Sequence, residues 1–308
     1  MVHLDDLRKG YGRVRALDGL TMTVPEGSIF GFVGPNGAGK TTTLRILATL
    51  LRPSGGRAFI ADEDVVARPE RVRQLIGYMP DFFGVYDDLK VSEYLDFYGQ
   101  AHGVKSGVRR RMIGDLLALV DLEDKADAYV DTLSRGMKQR LCLARCLIHD
   151  PTVLLLDEPA SGLDPRARVE MRELIKELRQ MGKTVIISSH ILAELSEMCT
   201  EVGIIDRGRL IAAGPVEQVL SGLKSGRLIA VRTAGRQEEV AEALRQEPGV
   251  RDVVVYVDRL EAVIDGDVAR LSEILRALVA AGYPVYSFGE QIGSLEETFL
   301  KLTGGGAQ

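Results

Sequence analysis

The sequence predicts an α/β protein with a mostly parallel sheet and a smaller α+β domain behind it, and three observations predict it. Short apolar runs alternate with helical segments through the first part of the chain. A glycine-rich loop joins one of those runs directly to a helix. After a linker-like stretch the order changes to strand, helix, strand, strand, helix, strand. Alternation of the first kind places helices on the faces of a parallel sheet.

Leu20–Val24 alternates apolar with polar residues and Ser28–Val33 is an apolar run, so both read as strands. A helical pattern starts at Thr41 and stops before the Pro53 to Gly56 turn, with Leu44, Ile46, Leu47 and Leu50 expected to anchor it. Thr152–Leu156, Thr184–Ser188 and Val202–Asp206 are further strands, separated by helices at Arg166–Met181 and Ile191–Glu197. Between Val91 and Leu133 the strand signal disappears and helices at Glu93–Ala101 and Val108–Val120 take its place, a helical subdomain inserted at about residues 88–135. The linker-like stretch is Ser221 to Gly226, which sets the expected domains at residues 1–222 and 223–308. Beyond it, strands at Arg227–Thr233, Val253–Val257, Leu260–Ile264 and Pro284–Phe288 and helices at Glu238–Arg245 and Val268–Ala280 follow the ferredoxin-like order.

The 308 residues suffice for one large and one small domain. No stretch has the roughly 20 uninterrupted apolar residues of a membrane helix, and the charged N-terminus lacks the apolar segment of a signal peptide, so a cytoplasmic location is expected. Cys142, Cys146 and Cys199 read as reduced core thiols. A net charge of −5 argues against broad nucleic-acid binding, and the run Arg109 to Arg111 reads as a solvated helix face.

The loop Gly34, Pro35, Asn36, Gly37, Ala38, Gly39, Lys40, Thr41, Thr42 fits the phosphate-binding pattern of Gly, four residues, then Gly-Lys-Ser/Thr. Its glycines let successive N–H groups turn inward around anionic oxygens at a helix N-terminus. Lys40 then reaches the β- and γ-phosphates, and the Thr41 hydroxyl ligates Mg²⁺. Asp157 and Glu158 end the strand Val153–Leu156, where two adjacent carboxylates are poor core residues. Asp157 is expected in the Mg²⁺ shell and Glu158 as the general base for the attacking water. A bound nucleotide is expected, and a GTPase is argued against because no Asn-Lys-x-Asp guanine-reading motif occurs.

These residues resemble the nucleotide-binding subunits of ABC transporters, and the resemblance covers most of Val2–Val219. It implies a phosphate-loop ATPase core with an antiparallel β subdomain as well as the helical insertion. Leu133, Ser134, Arg135, Gly136 and Met137 resemble the family's signature turn, with Arg135 and Met137 where a second Gly and a Gln are usual. In the family this turn opens a helix, here Met137–Ile148, whose N-terminus faces the γ-phosphate of ATP held by a second subunit. Tyr11 resembles the aromatic residue that stacks on adenine, although alone it also reads as a surface tyrosine in a turn. Ser161 to Asp164 resembles the loop that signals between the two sites, with Asp164 near the nucleotide, and His190 resembles the switch histidine that contacts the γ-phosphate.

One departure stands out. Asp81 occupies the position of the usual glutamine, so a carboxylate is expected near Mg²⁺ and the attacking water, or else a plain surface aspartate. The next residues, Phe82 to Tyr86, form an apolar cluster in the region where the family receives a helix of the membrane subunit, though local core packing explains it nearly as well.

The resemblance implies a subunit that closes with a second copy or a close paralogue on ATP, hydrolyses it and drives an integral-membrane permease from the inner face of the membrane. The tail from Ser294 to Thr303 resembles that of daunorubicin-resistance-type exporter ATPases. The alternative is a soluble ATPase of the same fold acting on nucleic acid or ribosomes. Such relatives carry paired cassettes, zinc modules or long coiled coils, and none is visible here.

Overall fold

A computed structural model describes residues 1–82, 84, 88–223, 227–256 and 258–290. The chain divides into two compact units, Met1–Val216 and Glu217–Gln308. Phe83 and Tyr86 of the apolar cluster, the Ser294 to Thr303 tail and residues 224–226 of the linker-like stretch lie outside the described residues.

The first unit opens with β1 (Val2–Tyr11), which turns through Gly12 and Arg13 into β2 (Val14–Val24). The sequence shows only the end of this hairpin. Asp5, Asp6, Arg8 and Lys9 interrupt the alternation of β1, and register shifts flank Leu7, so Val2, Leu4 and Leu7 are buried without regular spacing. β3 (Ile29–Val33) runs through the glycine loop into α1 (Lys40–Leu47), followed by β4 (Gly55–Ile60), β5 (Glu63–Asp64), α2 (Pro69–Leu75) and β6 (Ile76–Met79). Helix α1 ends before Leu50, which is 65% exposed and anchors nothing; Thr49 at φ 61° has already left the helical path.

The helical insertion contains α3 (Val91–Ala101) and α4 (Ser106–Leu119) and leads to α5 (Arg135–Leu147). The basic run in α4 is not one solvated face. Arg110 and Arg111 are exposed, but the Arg109 guanidinium is held by Asp96 and the Val104 carbonyl. Cys142 and Cys146 are buried in α5, and their thiols are free.

β7 (Val153–Asp157), α6 (Pro165–Gln180), β8 (Thr184–Ser189), α7 (Leu192–Ser196), β9 (Glu201–Asp206) and β10 (Arg209–Pro215) complete the unit. Its larger sheet has the order β10-β9-β3-β8-β7-β6, parallel except for β10, and its smaller antiparallel sheet has the order β2-β1-β4-β5. Every residue of β3, β7 and β8 is buried, as strands covered on both faces require. β3 lies between β8 and β9, so the glycine loop leaves the carboxyl edge at the centre of the sheet, where open α/β sheets bind their ligands.

α8 (Val216–Leu223) takes the first part of the expected linker into a helix, because Val216 and Val219 bury a common face. The second unit continues with β11 (Arg227–Thr233), α9 (Gln237–Gln246), β12 (Val250–Val255), β13 (Leu260–Ile264), α10 (Val268–Ala280) and β14 (Val285–Glu290). Its antiparallel sheet has the order β12-β13-β11-β14, and Ile229, Val231, Leu260 and Ile264 pack with Val240, Leu244, Ile274 and Leu278 of the two helices.

Candidate functional site

The glycine loop is held by close approaches that only a hydrogen in place of a side chain allows. A Cβ on Gly34 would lie 2.5 Å from the Ile205 carbonyl oxygen, and one on Gly39 would lie 2.6 Å from that of Ala16. Gly39 also needs φ 112° as the residue that caps α1, and the Ala38 N–H closes a turn on the Pro35 carbonyl. Asn36 and Gly37 are exposed at the tip, and Thr42 follows half-buried in the first turn of α1. The Lys40 ammonium, 6% exposed, donates to the carbonyls of Gly34 at 2.6 Å and Pro35 at 3.2 Å.

Strand register delivers the acidic half. Asp157, the last residue of β7, pairs with Ser188 of β8, and the Ser188 hydroxyl donates to Asp157 Oδ1 at 2.6 Å. Thr41 of the glycine loop donates to the same oxygen at 3.1 Å. Asp157 Oδ2 is buried with no hydrogen-bond partner among the described residues. An uncompensated buried carboxylate oxygen beside a threonine hydroxyl suits a hard cation. Among the described residues no group of three or more His, Cys, Asp or Glu could hold a metal ion.

Glu158 turns out of the sheet at φ 51°, a left-handed conformation rare for a side chain of this kind. Its N–H is held by the Ser188 carbonyl at 3.2 Å and the Ser188 hydroxyl at 3.0 Å. The carboxylate lies 3.9 Å from Lys40 Nζ, with His190 Nδ1 at 3.0 Å from Oε2. Burial pushes the Glu158 carboxyl above its ordinary range, against the opposing pull of His190 and Lys40. Burial also lowers the Lys40 ammonium, opposed by Glu158 and Asp157. Ser188 thus ties Asp157 to the Glu158 backbone, a role the sequence signals only as a small polar residue at a strand end.

The expected signature residues form a second group. Ser134 caps α5, its hydroxyl accepting the Met137 N–H at 3.3 Å. Arg135 donates to the Ser161 carbonyl at 3.0 Å. Ser134 to Met137 and Gly162 to Asp164 together line a cleft of about 360 Å³. Asp164 uses its carboxylate to cap α6, accepting from the Ala167 N–H at 2.9 Å. Glu158 and His190 line a different pocket, so Asp157, Glu158, His190, Lys40 and Thr41 come together apart from Ser134 to Met137.

Two expected residues stand outside these contacts. Tyr11 ends β1 about half exposed, with Lys9 Nζ 5.3 Å from its ring centre. Asp81 is exposed two positions after β6, the strand beside β7, and so stands at the carboxyl edge of the sheet.

Comparison with known proteins agrees with this geometry. The ABC transporter family model matches residues 17–161, and the model for the C-terminal domain of DrrA1-3-like ATP-binding proteins matches residues 214–303. The chain is 38% identical to the daunorubicin resistance ATP-binding protein DrrA2 of Streptomyces coeruleorubidus over 98% of this chain and 95% of that protein. It is 41% identical to the Nod factor export ATP-binding protein I of Paraburkholderia xenovorans, over 98% and 97%. Among solved structures, the ATP-binding subunit of an ABC transporter superposes with a TM-score of 0.66 at 29% identity, over 72% of this chain and 92% of the other. A dimeric ATP-binding cassette bound to ADP and Pi shares the fold, with a TM-score of 0.64 at 24% identity, over 70% and 99%. The chain belongs to the ABC transporter ATP-binding family and is an ATP-binding, ATP-hydrolysing subunit of it.

Proposed function

We propose that this subunit powers an exporter, closing with a second ATPase subunit around ATP and driving an integral-membrane permease. The observation that carries the reading is the near-complete coverage of relatives named for drug resistance and Nod factor export, including the C-terminal unit that the core cassettes lack. No helix among the described residues is long and apolar enough to cross a membrane, so the translocation path belongs to a partner. The subunit works at the inner face of the cell membrane. Phe82, 89% exposed just after Asp81, begins the segment that meets the permease.

In this reading the N–H groups of the glycine loop and Lys40 bind the phosphates of ATP, Tyr11 supports the adenine, and Thr41 and Asp157 hold Mg²⁺. Held by these two residues, Mg²⁺ would supply charge neutralisation to the phosphates. On ATP entry, Lys40 exchanges its two carbonyl partners for phosphate oxygens. Glu158 takes a proton from the attacking water as the oxygen bonds to the γ-phosphorus. The bond from the γ-phosphorus to the bridging oxygen breaks, giving ADP and inorganic phosphate. His190, in the tautomer with its proton on Nδ1, donates to Glu158 and aims the carboxylate. Ser134, Gly136 and their neighbours serve the ATP of the second subunit, and Asp81 contributes a carboxylate to the rim. Co-purification of the full chain with a multi-spanning membrane protein, followed by substrate-stimulated ATPase of that complex, tests the reading. Recovery with RNA or ribosomes alone would favour the alternative.

A further inference from the structure

Arg135 occupies the first helical position of α5, behind the capping Ser134. A cation there opposes the helix dipole, so the helix itself gives no reason for it. What the side chain reaches does. One terminal nitrogen donates to the Ser161 carbonyl at 3.0 Å, and the guanidinium covers Gly162 so closely that a Cβ on that glycine would collide with its central carbon and both terminal nitrogens. Gly162 sits at φ +68°, which itself favours glycine. One turn along α5, the Gln139 amide donates to the same Ser161 carbonyl at 3.3 Å. At the loop's far end, Arg168 Nε donates to the Leu163 carbonyl at 3.0 Å, and its guanidinium also holds Glu194 of α7 at 2.9 Å.

We propose that Arg135 is a positioning residue that clasps the Ser134–Met137 turn to the Ser161–Asp164 loop of its own chain, so that a second subunit meets the two as one preformed surface. The inference rests on the reading that this turn serves ATP bound by a second subunit. A turn fixed before association has less freedom to lose when the dimer closes. A glycine at 135 would have no group to reach Ser161. Gly162 is the matching half of the clasp, since any side chain there would displace the guanidinium.

The test uses the full chain with Mg²⁺ and the non-hydrolysable analogue AMP-PNP, following dimerisation by light scattering, binding to the monomer with a fluorescent ATP analogue, and steady-state ATPase. Arg135→Gly is expected to raise the nucleotide concentration for half-maximal dimerisation roughly threefold to tenfold, the range that one solvent-exposed hydrogen bond of ordinary strength supplies. KM for ATP should rise more than kcat falls, and binding to the monomer should not change. Gly162→Ala should act in the same direction, and the double variant should be no worse than the more impaired single one. Gly136→Asp is the reference: its Cβ meets only ordinary contacts with Ala167 and Leu163, so the fold is kept while a carboxylate enters the turn. If Gly136→Asp abolishes dimerisation but Arg135→Gly and Gly162→Ala leave it unchanged, or if those two effects simply add, the clasp is overturned and the dimer reading stands. If Gly136→Asp also leaves dimerisation unchanged, the dimer reading fails and the clasp fails with it.

Discussion

The Lys40 ammonium and the Glu158 carboxylate stand 3.9 Å apart, the first in the glycine loop and the second just past the end of β7. The pair links the phosphate-binding half of the site to the acidic half. Both groups are largely buried, and burial pushes each toward its neutral form while the other opposes it.

If Glu158 is the base, Glu158→Gln keeps the shape of the site and removes the proton acceptor. Turnover should fall by roughly 10²- to 10⁴-fold, the usual worth of a positioned base, while ATP binding is retained. Single-turnover hydrolysis and equilibrium binding measured on the same preparation check both parts. Because burial raises the Glu158 carboxyl, the acid limb of the pH–rate profile should lie above the ordinary carboxylate range, with activity lost as pH falls through it.

Lys40→Ala removes the buried cation that the phosphates would engage. Nucleotide affinity should fall by about tenfold or more, since a hydrogen bond from a charged group contributes about 1.5–3 kcal/mol. Binding of a fluorescent ATP analogue measures it, and a native-like circular dichroism spectrum separates the effect from unfolding.

Ser188→Ala removes the hydroxyl that donates to Asp157 Oδ1 and accepts from the Glu158 N–H. The variant should need more Mg²⁺ for half-maximal ATPase and should unfold at a lower temperature. Loss of a buried hydrogen bond that leaves its partners unsatisfied costs about 1–3 kcal/mol. Mg²⁺ titration and thermal denaturation report the two effects separately.

His149 gives a pH dependence away from the active site. Its ring stacks on His102 with centres 3.9 Å apart and bonds the Ile76 carbonyl, and burial together with the neighbouring His102 pushes it down to about 4. An unfolded histidine binds its proton near pH ~6.5. The folded chain therefore keeps this contribution above that value and loses it as pH falls through the window to about 4. Melting temperatures of the wild type and His149→Gln, compared across this window, should converge as pH falls.

Much of the architecture was legible because strands buried on both faces are apolar throughout and the phosphate loop has fixed spacing. Ile29–Val33, Thr184–Ser189 and α10 lie where periodicity places them. β1 was missed because its charged pairs and bulges hide the alternation, and β6 because four residues are too few to show a period. The adjacency of Asp157 and Glu158 was visible, but their separation of direction was not. It depends on the left-handed turn at Glu158 and on Ser188, which reaches them only through strand register. Arg135 reads in sequence as a replaced glycine, and only the fold brings Ser161 and Gly162 beneath it.

In the proposed cycle this chain closes around ATP with a second subunit, and Glu158 then ends the closed state. Light scattering of the Glu158→Gln protein with Mg²⁺, with and without ATP, reads both steps. Monomers are expected without nucleotide and a persistent dimer with ATP, dispersed when the nucleotide is removed. Monomers at saturating ATP together with wild-type turnover would contradict the cycle.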